Sequence, residues 1–168
     1  SETSKSVFDL VYKKLLKHYR IKVGKNEKTS FGIIDSQSVK NADTARIKGY
    51  DGNKKISGIK RNIVVDMLSL PHAIHITPAN RNDGEAAKEL FKKYSSDLSD
   101  IVNVLGDGGY NSTPLETVIE QTIGATLEIT KRSNPHQFEV NIKRVRVEKA
   151  FGWINKCRRL WRNCERYL

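Results

Sequence analysis

Apolar residues recur along the chain with two different periods, and the changes between them predict its elements. Val7, Phe8, Val11, Leu15 and Tyr19 stand at helical spacing with lysines between them, which predicts an amphipathic helix over residues 7–19. Residues 20–30 are mostly polar, with Gly24 and Asn26, and read as a linker. Phe31 to Ile34 is a short apolar run that predicts a buried strand ending on Asp35. Two runs rich in β-branched residues, 60–66 and 73–77, flank a segment containing Pro71 and predict a hairpin. Asn82 or Asp83 caps a helix reaching about Tyr94, with Ala86, Ala87, Leu90 and Phe91 facing inward. Residues 101–105 predict a further strand. Thr113-Pro-Leu-Glu116 then has the form of a capping box with proline at the first helical position, opening a helix to about Gln121. Gly124 ends that helix, residues 126–129 predict a fifth strand, and 131–138, with Pro135, read as a loop. A last helix begins near Lys143. Its apolar stripe is Val147, Ala150, Phe151, Ile154, Cys157, Trp161, Cys164 and Leu168, and Arg144, Glu148, Gly152, Asn155 and Arg159 lie on another face.

Strands joined through helices imply a mixed sheet with helices on its faces. A chain of 168 residues suffices for one domain with a core, and 38% hydrophobic content with mixed charge argues against disorder. No apolar stretch approaches the roughly 20 residues of a bilayer-spanning helix, and the start lacks a secretory pattern. The expectation is therefore an intracellular, cytoplasmic protein with no membrane partner. The two cysteines, Cys157 and Cys164, are two helical turns apart, roughly 10 Å, which is beyond disulfide reach. They read as small buried apolar residues.

The net charge of +11 is concentrated in two places. Residues 40–61 carry +5 and residues 143–166 carry +7, leaving −1 for the rest of the chain. Charge gathered in this way points to a polyanionic partner. The first of these segments also holds Gly49, Gly52 and Gly58 and shows little periodicity between Lys40 and Gly58, which predicts an exposed, mobile loop.

Candidate chemistry comes from three acids. The strand at 31–34 delivers Asp35, the strand at 101–105 delivers Asp107 in Gly106-Asp-Gly-Gly-Tyr110, and the last helix carries Glu148. If the two strands are parallel neighbours, Asp35 and Asp107 meet at their carboxyl ends, where ligands bind in open α/β sheets. Two such carboxylates repel unless a cation lies between them. Hard oxygen donors without Cys or His favour Mg²⁺ or Mn²⁺. With Glu148 as a third ligand, two ions roughly 3.5–4 Å apart serve an in-line phosphoryl displacement without a Ser or Cys nucleophile. Each acid also has a plainer reading: Asp107 as turn chemistry before Gly-Gly, Asp35 as a turn cap, Glu148 as balance for Arg144 and Arg146. Asp66 reads as a hairpin-turn residue, and His72 and His75 as structural.

The runs from Gly32 to Lys40, from Gly49 to Arg61 with Val64-Val-Asp66, from Gly106 to Tyr110, from Leu127 to Ser133 and from Arg144 to Leu160 resemble bacterial insertion-sequence transposases of the DDE type. That resemblance implies a ribonuclease-H-like fold, a mixed five-stranded sheet flanked by helices, over residues 31–168, preceded by a helix and linker over 1–30. It also implies a catalytic core cut at both ends relative to the family. Asp35, Asp107 and Glu148 would be the three catalytic and metal-binding acids, holding two Mg²⁺ or Mn²⁺ ions. The implied reaction is cleavage of a phosphodiester at element ends, followed by attack of the freed 3′-hydroxyl on target DNA. Two positions depart from the wider pattern: Asn141 stands where a Tyr is common, and Asn155, followed by Lys156, where a basic residue is common.

Partners would be double-stranded DNA, both element ends and target, with a homodimer assembled on it; nucleoid association is expected only with that DNA partner. Lys40, Arg46, Lys48, Lys54, Lys55, Lys60 and Arg61 would hold one stretch of backbone. Arg144, Arg146, Lys149, Lys156, Arg158, Arg159 and Arg162 would hold another. The alternatives are a ribonuclease-H-like nuclease without strand transfer and a non-catalytic DNA-binding remnant.

Overall fold

The computed structural model describes residues 6–130 and 142–165. Helix α1 (Val7–Lys22) is followed by strand β1 (Phe31–Lys40), β2 (Gly49–Asp51), β3 (Ile56–Val65) and β4 (Pro71–Pro78). Helices α2 (Asp83–Lys93) and α3 (Ser95–Leu98) lead to β5 (Asn103–Gly106), and a 3-10 turn (Gly108–Tyr110) leads to α4 (Thr113–Ile123), β6 (Thr126–Ile129) and α5 (Ile142–Lys156). The expected loop at 131–138 lies outside the described residues.

β1 is the central strand. It pairs antiparallel with β3 along eight positions, from Ile33 opposite Val65 to Lys40 opposite Gly58. On its other side it pairs parallel with β5, but only from Phe31 to Ile33. β6 extends the sheet beyond β5 in parallel, and β4 pairs antiparallel with β3. The five long-range strands therefore stand in the order β4, β3, β1, β5, β6, the mixed sheet of the ribonuclease-H-like fold.

A sixth strand corrects the expected loop between Lys40 and Gly58. β3 is ten residues long, so its outer edge holds two strands end to end: β2 along Ile56–Gly58 and β4 along the remainder. Gly58 faces both Lys40 and Gly49 across the sheet, and a Cβ there would stand 2.0 Å from the carbonyl oxygen of Val39. Only glycine permits that approach. Buried Asp51 closes the hairpin, accepting bonds from the Ser38 hydroxyl and from the backbone N–H of Asn53 and Lys54.

Alternation along β1 and β3 feeds two cores. Ile34 and Val64 join Ala87, Leu90, Phe91, Leu115 and Ile119 beneath α2 and α4. Ile33, Ile63, Val65 and Leu105 meet Val147, Ala150 and Phe151 of α5 on the opposite face. The result is three layers, with helices on both faces of the sheet.

Several helix ends differ from expectation. Asn82 caps α2 as read, its side chain accepting from the N–H of Gly84 and Glu85. The capping box at Thr113 does not form: Ser112 is the cap residue, without a side-chain bond, and its carbonyl takes the first helical N–H groups. Gly124 ends α4 in the left-handed conformation, φ 70°. α5 stops at Lys156 rather than continuing along the apolar stripe, so Cys157 and Cys164 are exposed, not buried, and Trp161 is 52% exposed. Leu168 lies outside the described residues.

Asp66 holds the turn between β3 and β4 through the N–H groups of Leu68 and Leu70. It is fully buried and also takes the Arg20 guanidinium and His72 Nε2, the latter at 3.2 Å, so Arg20 is an anchor for α1 and not a linker residue. His75 likewise has an acidic partner, Glu89, at 3.2 Å. Removing one member of a buried pair leaves the other uncompensated, so Arg20→Ala is expected to cost about 3–5 kcal/mol in urea denaturation, more than Lys28→Ala at the exposed pair with Asp100.

Candidate active site

Asp35 does not end a strand, as the sequence suggested; it lies in the middle of β1, two residues past the last pairing with β5. Beyond Ile33 the strand keeps β3 on one side and loses its neighbour on the other. Asp107 follows β5 directly, in extended backbone (φ −83°, ψ −179°). Because Ile33 and Leu105 are partners in parallel register, Asp35 and Asp107 each stand two residues further on, on the face covered by α5.

Asp107 caps the 3-10 turn, its carboxylate accepting from the Gly109 N–H at 2.9 Å. The turn reading and proximity to Asp35 thus hold together at this residue. Burial pushes the Asp35 carboxyl up to about 6, and the charge of Asp107 adds to the rise, while a backbone bond from Ser36 and the charge of Lys54 oppose it. Lys54, in the β2–β3 hairpin, also reaches the Ser36 carbonyl, 3.4 Å from its Nζ.

Glu148 lies on α5 and is exposed, between Val147 and Ala150, which press on the sheet beside Ile33 and Leu105. Among the described residues, no group of three or more Asp, Glu, His or Cys side chains stands close enough to hold a metal ion. The donor chemistry at Asp35 and Asp107 nevertheless fits a hard divalent cation: two neighbouring carboxylates, one held against the burial penalty on its charged form.

One acid beside this pair is not evident from sequence. Asp83, the first residue of α2, accepts from the Ser36 hydroxyl at 2.9 Å and pairs with Lys60 at 2.8 Å. Tyr110 is buried beneath, its hydroxyl beside Ser36 but without a bond of ordinary geometry; burial, then the charges of Asp35 and Asp83, push its pKa well above the usual range. In the sequence Asp83 is indistinguishable from a helix-start residue, since only the fold brings α2 against β1.

The basic residues divide. Lys60 and Arg61 lie inside the fold: Lys60 is held by Asp83 and the Arg81 carbonyl, Arg61 by the Leu160 carbonyl and by Asn155 Oδ1 at 3.4 Å. Lys40, Arg46, Lys48, Lys54, Lys55, Lys149, Lys156, Arg158, Arg159 and Arg162 are exposed, and Arg146 is half-buried. The side chain of Arg144, and Asn141 altogether, lie outside the described residues. The two basic segments meet. Asn41 donates to the Ile47 carbonyl and accepts from Asn163 Nδ2 at 2.9 Å, and the Asn163 backbone bonds to Lys40 and Ala42.

The sheet thus sets Asp35 within β1 and Asp107 just after β5, each two residues past a paired position of adjacent parallel strands. The family model described as the transposase DDE domain matches residues 26–168, and the chain belongs to that family, whose members act on DNA and generally use divalent metal ions. Among solved structures, the catalytic core domain of BIV integrase is similar at 9% identity, covering 77% of this chain and 68% of that one, with a TM-score of 0.47. No curated protein matches by sequence.

Two expectations follow from the site. The native state binds the Asp35 proton more tightly than the unfolded chain does, so the stability this contributes is full below about pH 4 and lost as pH rises through about 6. Without metal, Asp35→Asn is therefore expected to stabilise the fold by on the order of 2 kcal/mol above about pH 7 in thermal melts, with the gain vanishing near pH 4. Arg61→Ala is expected to release the segment after α5, so that trypsin cuts after Arg158, Arg159 or Arg162 several-fold faster than in wild type, read by mass spectrometry.

Proposed function

We propose that this chain is the catalytic core of an insertion-sequence transposase, cleaving a phosphodiester at the ends of its element and joining the freed 3′-hydroxyl to target DNA. The observation that carries this reading is the placement of Asp35 and Asp107 after paired positions of two parallel strands, on one face, beneath the helix that bears Glu148. Family membership supports it. Asp35 and Asp107 would hold Mg²⁺ or Mn²⁺, with Glu148 contributing from α5. Bound divalent ions supply activation of the attacking oxygen and stabilisation of the leaving one.

The chain's own residues do the rest. Lys54 sets positive charge beside Asp35. Lys40, Arg46 and Lys48 with Arg158, Arg159 and Arg162 form a basic surface joined through Asn41 and Asn163, which holds the DNA backbone without reading its sequence. The work takes place on chromosomal DNA in the cytoplasm, with two copies assembled on the element.

The test is a joining assay with Mn²⁺, a labelled 3′-hydroxyl end and a target duplex. Asp35→Ala, Asp107→Ala and Glu148→Ala are each expected to lower joining by roughly 100- to 1,000-fold, the scale of losing one charge-stabilising group, with DNA binding retained. Binding should weaken about 1,000-fold between about 50 and 200 mM salt if some six phosphates are held. Cleavage without joining would point to a nuclease; cleavage untouched by Asp35→Ala would remove the catalytic reading.

A further inference from the structure

After α5 the chain makes a compact turn from Cys157 to Arg162 and then returns to the sheet. Two anchors pin it. The buried Arg61 guanidinium takes the Leu160 carbonyl, and Asn163, 7% exposed, donates its N–H to Lys40 (3.0 Å) and accepts from Ala42 (2.8 Å). Trp161 lies between these anchors, so its backbone has little freedom, yet the residue is 52% exposed. The Arg162 guanidinium stands 4.5 Å from the ring centroid, over one face. Arg158 and Arg159 are exposed on the same turn.

Exposure alone is common on this surface, but this ring is held by a pinned backbone and carries a guanidinium over one face, which leaves its other face available for stacking. The surrounding charge selects the occupant. Arginines repel a basic partner and hold phosphates, and a flat ring offers a face on which any nucleic-acid base stacks. Bases inside a duplex present only their edges, because their faces are covered by neighbouring pairs. The ring therefore fits an unpaired base. Its anchor has a place along the sheet: Asn163 bridges to Asn41, six residues past Asp35 along the extended chain, which is about 20 Å, or about six base pairs of duplex.

We propose that Trp161, pinned between Leu160 and Asn163 and backed by Arg162, is a stacking platform for an unpaired base of the DNA whose duplex lies at Asp35. This rests on the DNA reading above and adds the class of strand recognised: a duplex carrying a frayed or overhanging end. Arg158 and Arg159 hold the phosphates flanking that base.

The experiment measures binding of a blunt duplex and of the same duplex with an overhang of about five nucleotides carrying 2-aminopurine, to wild type, Trp161→Ala and Trp161→Phe. Wild type is expected to bind the overhang roughly ten-fold more tightly than the blunt duplex and to quench the 2-aminopurine. Trp161→Ala should lose the preference and the quenching while binding blunt duplex as wild type does, and Trp161→Phe should keep most of both. Equal binding of the two DNAs by wild type overturns the platform and leaves the DNA reading standing. A loss in Trp161→Ala that is the same for both DNAs overturns it in favour of a purely structural Trp161. Failure of wild type to bind either DNA overturns both.

Discussion

Everything in this molecule depends on how β1 is paired. On one side it is bonded to β3 along its length; on the other it is bonded to β5 for three positions only. A strand held on both sides and buried on both faces cannot slip by one residue without exchanging its two sets of side chains. That constraint sends Ile33 and Asp35 to the face under α5, and Ile34 and Ser36 to the face under α2 and α4. The early end of β5 opens a gap in the sheet beside Asp35, and the extended backbone leaving β5 sets Asp107 next to it. The site is thus a consequence of two strands of unequal length sharing one register.

Buried cations hold the layers around that strand. Arg20 ties α1 to the β3–β4 turn through Asp66, Lys60 ties β3 to the start of α2 through Asp83, and Arg61 ties β3 to the turn after α5. Each is placed inside the protein, where an ionised group persists only with partners. Lys60 and Arg61 are neighbours on one strand and so serve opposite faces, one helix layer each. Part of the charge that reads as a polyanion-binding surface is therefore spent on assembly. The exposed remainder is made continuous by Asn41 and Asn163.

Much of this was legible along the chain. The β-branched run within Lys60 to Asp66, the Asn82 cap, Gly124 and the apolar stripe through Val147, Ala150 and Phe151 each carry a local cause, and each element forms where that cause acts. The motifs around Asp35, Asp107 and Glu148 resembled the DDE family, to which the chain belongs. The failures share a different character. The stripe continues past Lys156 in sequence, but the helix stops there and the turn that follows is tied to β3 by the bond from Arg61 to the Leu160 carbonyl. The glycine-rich run after Lys40 lacks strand periodicity, and becomes a hairpin only because β3 offers an unpaired edge.

The sequence by itself determined most of the elements, their order and a set of candidate acids, because backbone propensity, capping and side-chain period act over a few residues. Tertiary structure alone decided which carboxylates lie side by side, which cations are buried and where α5 stops. Those outcomes depend on pairings between residues far apart in the chain, such as Arg61 with Leu160 and Ser36 with Asp83, and no local pattern encodes a bond whose partner is brought up by the sheet.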